Sequence, residues 1–331
     1  DNIYEDEIDS FCYQAFDFPW SVYNFLNKIK PEKYIITRHD IWPNHIIISK
    51  ILSIESYLIN ANLPKSSKRI FPVFKLLSRF LFNYFSQIYT VSKEMGNRIK
   101  KLLKEDTRIK ILGDTRFDQI QHRKNSISNH ITLPKQFQTS KNILFGSIES
   151  RDIDIIFDAL NNLQENFKIN HINFIFVPHE PEENILINLE SRLKELDIKS
   201  RRYSNMIDQN ANILLNDFNA LLIDSTGILA DLYKYSSVSY IGCGFGKGVH
   251  NVAEPAIYGN TICFGPRYHI LNEAIEMAEQ KIAFPIENFE ELSRILNMVF
   301  DEKTLGKNSK KISKYIELKV NFTETIINEI F

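Results

Sequence analysis

Val238 to Pro266 reads VSYIGCGFGKGVHNVAEPAIYGNTICFGP. Val238 to Ile241 has the composition of a short strand, Gly242, Gly244, Gly246 and Gly248 alternate directly behind it, Val252 to Tyr258 has a helical pattern, and Thr261 to Phe264 is a second strand. Strand, tight loop, helix, strand is the repeating unit of a parallel sheet. Of the eleven glycines in the chain, seven lie between Gly227 and Gly265, so the loop is not an accident of composition. Glycines let backbone approach a ligand and leave N–H groups, with the start of the next helix, pointing at an anion. The plain reading is a tight strand-to-helix turn; four glycines in seven residues favour binding.

The same unit recurs outward from this stretch. Upstream in the second half lie strands at Asn142 to Phe145, Asn173 to Val177 and Ala220 to Ile223. In the first half they lie at Lys33 to Thr37, Ser56 to Asn60, Gln87 to Val91 and Ile109 to Leu112, with helices near Pro43 to Leu52, Val73 to Phe85 and Lys93 to Leu103. The polar stretch Gln121 to Thr139 breaks the alternation. The pattern predicts an α/β chain of two doubly wound Rossmann-like domains facing a cleft: 1–125, a linker over 126–140, 141–302, and closing helices over 303–331. Ligands of such folds bind beyond the carboxyl ends of the strands.

Composition narrows the function. The 331 residues carry 40 Lys plus Arg against 41 Asp plus Glu, a net charge of -1, which gives no basic field for nucleic acid. Hydrophobic residues at 44% are enough for ordinary cores. Cys12, Cys243 and Cys263 are too scattered along the sequence for a disulfide framework or a zinc motif, so no metal is expected. No apolar run reaches the roughly 18 residues of a membrane helix. Residue 1 is Asp, and 2–18 read as the middle of a chain, so the numbering is expected to start inside a larger protein.

Candidate chemistry sits after strands. Asp224, Ser225, Thr226 and Gly227 open the helix expected over Ile228 to Tyr235, where hydroxyls and free N–H groups suit a phosphate, or where Ser225 or Thr226 simply caps. Gly146 and Ser147 end the first strand of the second domain, with Glu149 and Asp152 in the turn behind, capping being the default there. His179 and Glu180 stand at the lip of the Asn173 strand. Glu254, one turn into the helix behind Gly248, is placed to accept hydrogen bonds from a ribose diol, or to complement the helix dipole. In the first half Arg38, Asp40, Trp42 and Asn44 lie just beyond a strand, a substrate-facing position. Lys68, Arg69, Phe71 and Phe74 belong to a basic aromatic segment that fits either a buried helix or a membrane surface.

Taken together the strings DIWPN (40–44), LINANL (58–63), GDTRFD (113–118), FGS (145–147), VPHEP (177–181), DSTGILADLY (224–233), GKGVHNVAEP (246–255) and FGP (264–266) resemble the Kdo (3-deoxy-D-manno-octulosonic acid) transferases of lipopolysaccharide assembly. The resemblance implies a GT-B glycosyltransferase, inverting and without a metal cofactor, that moves Kdo from CMP-Kdo to a lipid A precursor at the cytoplasmic face of the bacterial inner membrane. It makes 1–125 the acceptor side and 141–302 the nucleotide-sugar donor domain. By position it assigns Gly146, Ser147, His179, Ser225, Thr226, Gly227, Gly248, Asn251 and Glu254 to the donor and Arg38, Asp40, Trp42 and Asn44 to the acceptor side. The family's Gly-Glu motif, whose glutamate is taken as general base, does not precede the acceptor string here: either the chain is a fragment, which is the favoured reading, or the base is lost, or Asp40 substitutes for it. Ile228 stands where the family usually has Glu. The alternatives are a GT-B enzyme using a UDP-sugar and a non-catalytic nucleotide-binding or membrane-docking module.

Overall fold

The computed structural model describes residues 9–63, 67, 69, 71–103, 108–125, 131–169, 171–207 and 218–331. The chain divides into two compact units, 1–118 with 319–331, and 119–318.

In the first unit α1 (Pro19–Ile29), β1 (Lys33–Thr37), α2 (Pro43–Ile51), β2 (Glu55–Ala61), α3 (Pro72–Phe82), β3 (Gln87–Thr90), α4 (Lys93–Lys100) and β4 (Ile109–Ile111) alternate, followed by α5 (Arg116–Asn125), which runs on into the second unit. The four strands are parallel in the order β1-β2-β3-β4. Proline stands at the start of α1, α2 and α3, where its missing N–H costs nothing and its fixed φ suits the first turn. The core gathers Ile46, Leu58, Phe82, Phe85, Ile88 and Ile99.

The second unit holds α6 (Lys135–Thr139), β5 (Asn142–Ile148), α7 (Ser150–Ile169), β6 (Asn173–Pro178), α8 (Glu183–Glu195), β7 (Ser200–Arg202), α9 (Ser204–Ile207), β8 (Ala220–Leu222), α10 (Leu229–Leu232), β9 (Val238–Ile241), α11 (Ala253–Ile257), β10 (Thr261–Phe264), α12 (Asn272–Glu279), β11 (Ala283–Pro285), α13 (Phe289–Leu296) and α14 (Glu302–Glu317). Its seven parallel strands run β11-β10-β9-β5-β6-β8-β7. Strand order reverses between β5 and β9, the switch point at which such sheets open a crevice. Strands β5, β6 and β8 are buried along their whole length or nearly so, as a sheet covered on both faces requires.

Three segments differ from the sequence reading. Within the expected linker 126–140, α6 forms and Phe137 is buried, because the aromatic ring packs against Phe218. The helix expected over Ile228 to Tyr235 is α10 plus a 3-10 turn over Tyr233–Tyr235, and the one over Val252 to Tyr258 is the five-residue α11. The closing helices part company: α14 belongs to the second unit, whereas α15 (Phe322–Ile330) completes the first. There Ile326 and Ile330 pack with Tyr57 and Tyr89. Asp118 caps the start of α15 by accepting from the Thr323 N–H at 2.7 Å and its hydroxyl at 2.6 Å.

Candidate functional site

At the switch point the glycine loop folds back on β5. Gly146 pairs with Ile241, and Gly242 N–H donates to Gly146 O at 2.8 Å. A side chain at Gly242 would run into the Ser147 carbonyl, and one at Gly244 would lie 2.6 Å from Gly265 N. These two glycines therefore serve the close approach of one backbone to another. The loop amides are also largely engaged within the protein: Gly246 and Gly248 N–H both donate to Cys243 O at 2.9 Å, and Val249 N–H donates to Arg267 O at 3.1 Å. Gly248, expected to offer its amide to a ligand, spends it here. Its φ of 125° is open only to glycine.

A buried carboxylate fixes this corner. Asp152, fully enclosed in the first turn of α7, accepts from Glu149 N–H at 2.8 Å, Cys243 N–H at 2.9 Å and the Tyr240 hydroxyl at 2.7 Å. Burial pushes its pKa up, and the three donors pull against that. Ser147 bulges out of the β5–β6 ladder with φ at 52°, and Cys243 has φ at 66°.

Beside this corner lies a cavity of about 390 Å³ lined by Glu149, Arg151, His179, Glu180, Lys247 and Arg267 among others. It receives the N-terminus of α7, a 20-residue helix whose dipole favours an anion. Arg151, Lys247 and Arg267 outnumber Glu149 and Glu180 in the lining, so its charge leans the same way. The His179 ring stacks on His250 with centroids 4.4 Å apart. Burial, and then the neighbouring His179, hold His250 below the ordinary imidazole value.

Glu254 is the second residue of α11. Asn251 donates to its Oε1 at 3.0 Å and itself accepts from Ala253 N–H at 3.0 Å. Burial raises the Glu254 pKa, Arg123 and Asn251 oppose the rise, and Asp231 adds to it. Arg123 forks onto Asp231 at 3.1 and 3.0 Å, and Lys124 donates to Ile257 O at 2.7 Å. Gly146 meets the back of this group: a Cβ there would lie 2.7 Å from the buried Tyr233 hydroxyl.

The third strand end differs from the capping alternative. No side chain caps α10. Ser225 Oγ is buried without a hydrogen-bond partner among the described residues, and Thr226 and Gly227 are exposed, Gly227 with φ at 85°. Asp224 accepts from Ser204 N–H at 3.0 Å and from its hydroxyl. The carboxyl edge of the sheet thus carries Gly146, Ser147, His179, Ser225, Thr226, Gly227, Gly248, Asn251 and Glu254, with contacts that join His179 to His250 and Asn251 to Glu254. Arg123, Asp231, Lys247 and Arg267 were not singled out by sequence reasoning. Asp231, inside DSTGILADLY, carried a signal; Arg123 stood in a polar stretch that offered none.

In the first unit Arg38 has φ at 61°, donates its N–H to Ile59 O at 2.8 Å, and places its guanidinium 3.9 Å from Asp114, which Arg116 also holds at 2.6 Å. Asp40 and Trp42 are exposed, and Arg69 donates to His39 O at 2.8 Å within the field of Asp40. Asn44 is committed locally: its N–H donates to Asp17 Oδ1 at 2.9 Å and its side chain donates to Asp17 O at 2.6 Å. Lys68 lies outside the described residues. Phe71, Val73, Phe74, Leu76, Leu77 and Phe80 all lie exposed on or beside α3, Val73 at 83%, whereas Ser78 is buried. Leu81 and Phe82 anchor the C-terminal end of the helix in the core, while the other apolar residues face outward as an exposed patch of the kind that marks a docking surface. Among the described residues no helix is long and apolar enough to cross a membrane.

Residues 1–119 match the family profile described as 3-deoxy-D-manno-octulosonic-acid transferase (kdotransferase). The chain is 26% identical to the 3-deoxy-D-manno-octulosonic acid transferase of Aquifex aeolicus over 312 residues, covering 94% of this chain and 76% of that protein. It is 26% identical over 316 residues to a bifunctional glycosyltransferase/methyltransferase of Fusobacterium nucleatum subsp. nucleatum, covering 92% of this chain and 46% of that one. The chain therefore spans between about half and three quarters of these relatives' length. Among solved structures, UDP-GlcNAc 2-epimerase from Neisseria meningitidis bound to UDP-GlcNAc superposes with a TM-score of 0.64 at 14% identity, over 94% of this chain and 78% of that one. That likeness identifies the fold as GT-B, with two Rossmann-like domains.

Proposed function

From the family profile matched by residues 1–119 and the likeness to 3-deoxy-D-manno-octulosonic acid transferases over most of the chain, we propose that the chain is a member of that family and transfers Kdo from CMP-Kdo to a lipid A precursor with inversion and without a metal cofactor. An acceptor hydroxyl, deprotonated by a carboxylate for which Asp40 is the candidate, attacks the anomeric carbon. The bond to the phosphate oxygen breaks, and CMP departs into the second unit. General-base assistance of this kind contributes about 10² to 10⁴-fold. Stabilisation of the leaving phosphate falls to protein dipoles and cations. The α7 N-terminus with Arg151, Lys247 and Arg267 supports that part. The outward apolar face of α3 supports work at the surface of the cytoplasmic membrane, Phe71 and Phe74 entering the lipid and Arg69 facing headgroups.

The observation that carries the reading is Glu254: a carboxylate taken largely out of water, with one hydrogen-bond donor among the described residues, at the carboxyl edge beside the switch point. A ribose diol would supply the donors it lacks. Calorimetric titration of CMP with a chelator present tests this. Binding should persist without divalent ions, and Glu254→Ala should weaken it about 10 to 100-fold, the worth of a hydrogen bond to a charged group. Unchanged affinity in both Glu254→Ala and Thr226→Ala overturns the assignment. Tighter binding of UDP than of CMP would make the donor a UDP-sugar.

A further inference from the structure

Cys243 is not used by any step above, yet its placement is specific. It follows β9, and its sulfur faces two imidazoles that reach it from different strand ends, His179 after β6 and His250 at the far side of the glycine loop. One ligand atom from each of the three lies within 4.8 Å of the others. The thiol donates to Ser147 O at 3.2 Å; burial, and then the nearby Glu149 carboxylate, push its pKa up. Cys243 holds a left-handed backbone, φ 66°, in a loop where four glycines would adopt that conformation freely. A side chain there costs about 1–2 kcal/mol, and the Asp152 carboxylate holding the Cys243 N–H keeps it in place. Strain retained at a buried sulfur between two histidines calls for a ligand.

We propose that His179, Cys243 and His250 form a zinc-binding site with three protein ligands and a fourth position open to the cavity that His179 lines. Zinc takes imidazole nitrogen and thiolate sulfur at about 2.0–2.3 Å, which sets ligand atoms about 3.5 Å apart in a tetrahedron. His179 is exposed, so its ring can swing the remaining distance. The thiol gives up its proton to solvent on binding. Glu149 and Asp152 oppose the Lys247 charge at His250, Arg151 and Arg267 line the adjoining cavity, and the Asp152 and Ser147 contacts supply the outer support that metal ligands need. The site shares His179 and its cavity with the donor site proposed above; no step of the transfer is drawn through the ion, and metal titration reads the site independently of CMP binding.

The test is cobalt(II) titration of the full chain after chelator treatment and dialysis, followed by back-titration with zinc. The expected result is one equivalent of cobalt with tetrahedral visible bands and a thiolate-to-cobalt band in the near ultraviolet, displaced by one equivalent of zinc. Cys243→Gly relieves the backbone and so should fold; it should lose the ultraviolet band and bind zinc at least about tenfold more weakly, since even outer-shell changes cost about 10–100-fold. His179→Gln should weaken binding but keep the thiolate band, and Cys12→Ser should change neither. A wild-type chain without that band, or a Cys243→Gly variant that retains it, overturns the proposal, as does loss of the band in Cys12→Ser.

Discussion

Replacing Asp152 with alanine strands three donors at once: the N–H groups of Glu149 and Cys243 and the hydroxyl of Tyr240. Each buried donor left without a partner costs about 1–3 kcal/mol. The variant no longer desolvates a carboxylate, which returns part of that, so the lower end applies, about 3 kcal/mol. Asparagine separates the contributions. Its single carbonyl can take the place of Oδ2, which serves both backbone donors, while its amide faces Tyr240, whose hydroxyl can turn and accept. Asp152→Asn should therefore cost only about 1 kcal/mol, and a cycle with Tyr240→Phe should show a coupling of at least about 0.5 kcal/mol. Urea unfolding followed by circular dichroism reads these values. In a unit of this size about 3 kcal/mol corresponds to a fall in Tm of about 6–12 °C. Equal stability of the alanine variant and wild type, or an asparagine variant as unstable as alanine, would show that Asp152 does not anchor the loop.

Other consequences are checked as directly. Gly242→Ala drives a methyl into the Ser147 and Ile148 backbone and should cost about 3 kcal/mol or more, whereas Gly227→Ala meets open space and should cost about 1 kcal/mol for its φ alone; paired urea melts compare them. CMP affinity should fall as pH drops from above the usual glutamate value of 4.5, because burial raises the Glu254 pKa and protonation removes an acceptor, and Glu254→Gln should flatten that profile. His250 titrates below its unfolded value of 6.5, so the unfolded chain binds the proton first: stability should be complete above about 6.5 and decline as pH falls below it, a slope that His250→Gln removes. Phe71→Ser and Phe74→Ser should each weaken sedimentation with anionic vesicles about fivefold, from about 1 kcal/mol of half-exposed aromatic surface, with little change in melting.

Strands β9 and β10 were legible because burial on both faces writes itself as short apolar runs, and both have the bounds expected of them; β1 does too, although only Ile36 in it is buried. The edge strands of the second sheet were not. β7 reads Ser-Arg-Arg and has no apolar run, while β11 reads Ala-Phe-Pro, apolar but three residues long and ending in a proline that argues against a strand, and pairing to β8 and β10 makes them strands. In the glycine loop the position was legible and the cause was partly not. Steric demand by Ser147 and Gly265 is a contact between segments far apart in sequence, and the amides expected to meet a ligand turn back on Cys243 O. Asp152 read as a capping residue and is one, but its second duty toward Cys243 lies 91 positions away. The cluster of His179, Cys243 and His250 escaped for the same reason, since sequence spacing recognises only ligands that are neighbours along the chain.

The last helix bears on how the protein is made. Synthesis proceeds from the N-terminus, and a first domain ordinarily folds as it emerges. Here Tyr57 and Tyr89 wait for Ile326 and Ile330, Gly113 waits for the Phe322 ring, and Lys110 waits for Glu329. The first sheet must therefore stay unfinished, an apolar flank bare to the ribosome and to chaperones, while the whole second unit is translated. A stop codon placed just before Lys319 would spare every strand and leave that flank open for good.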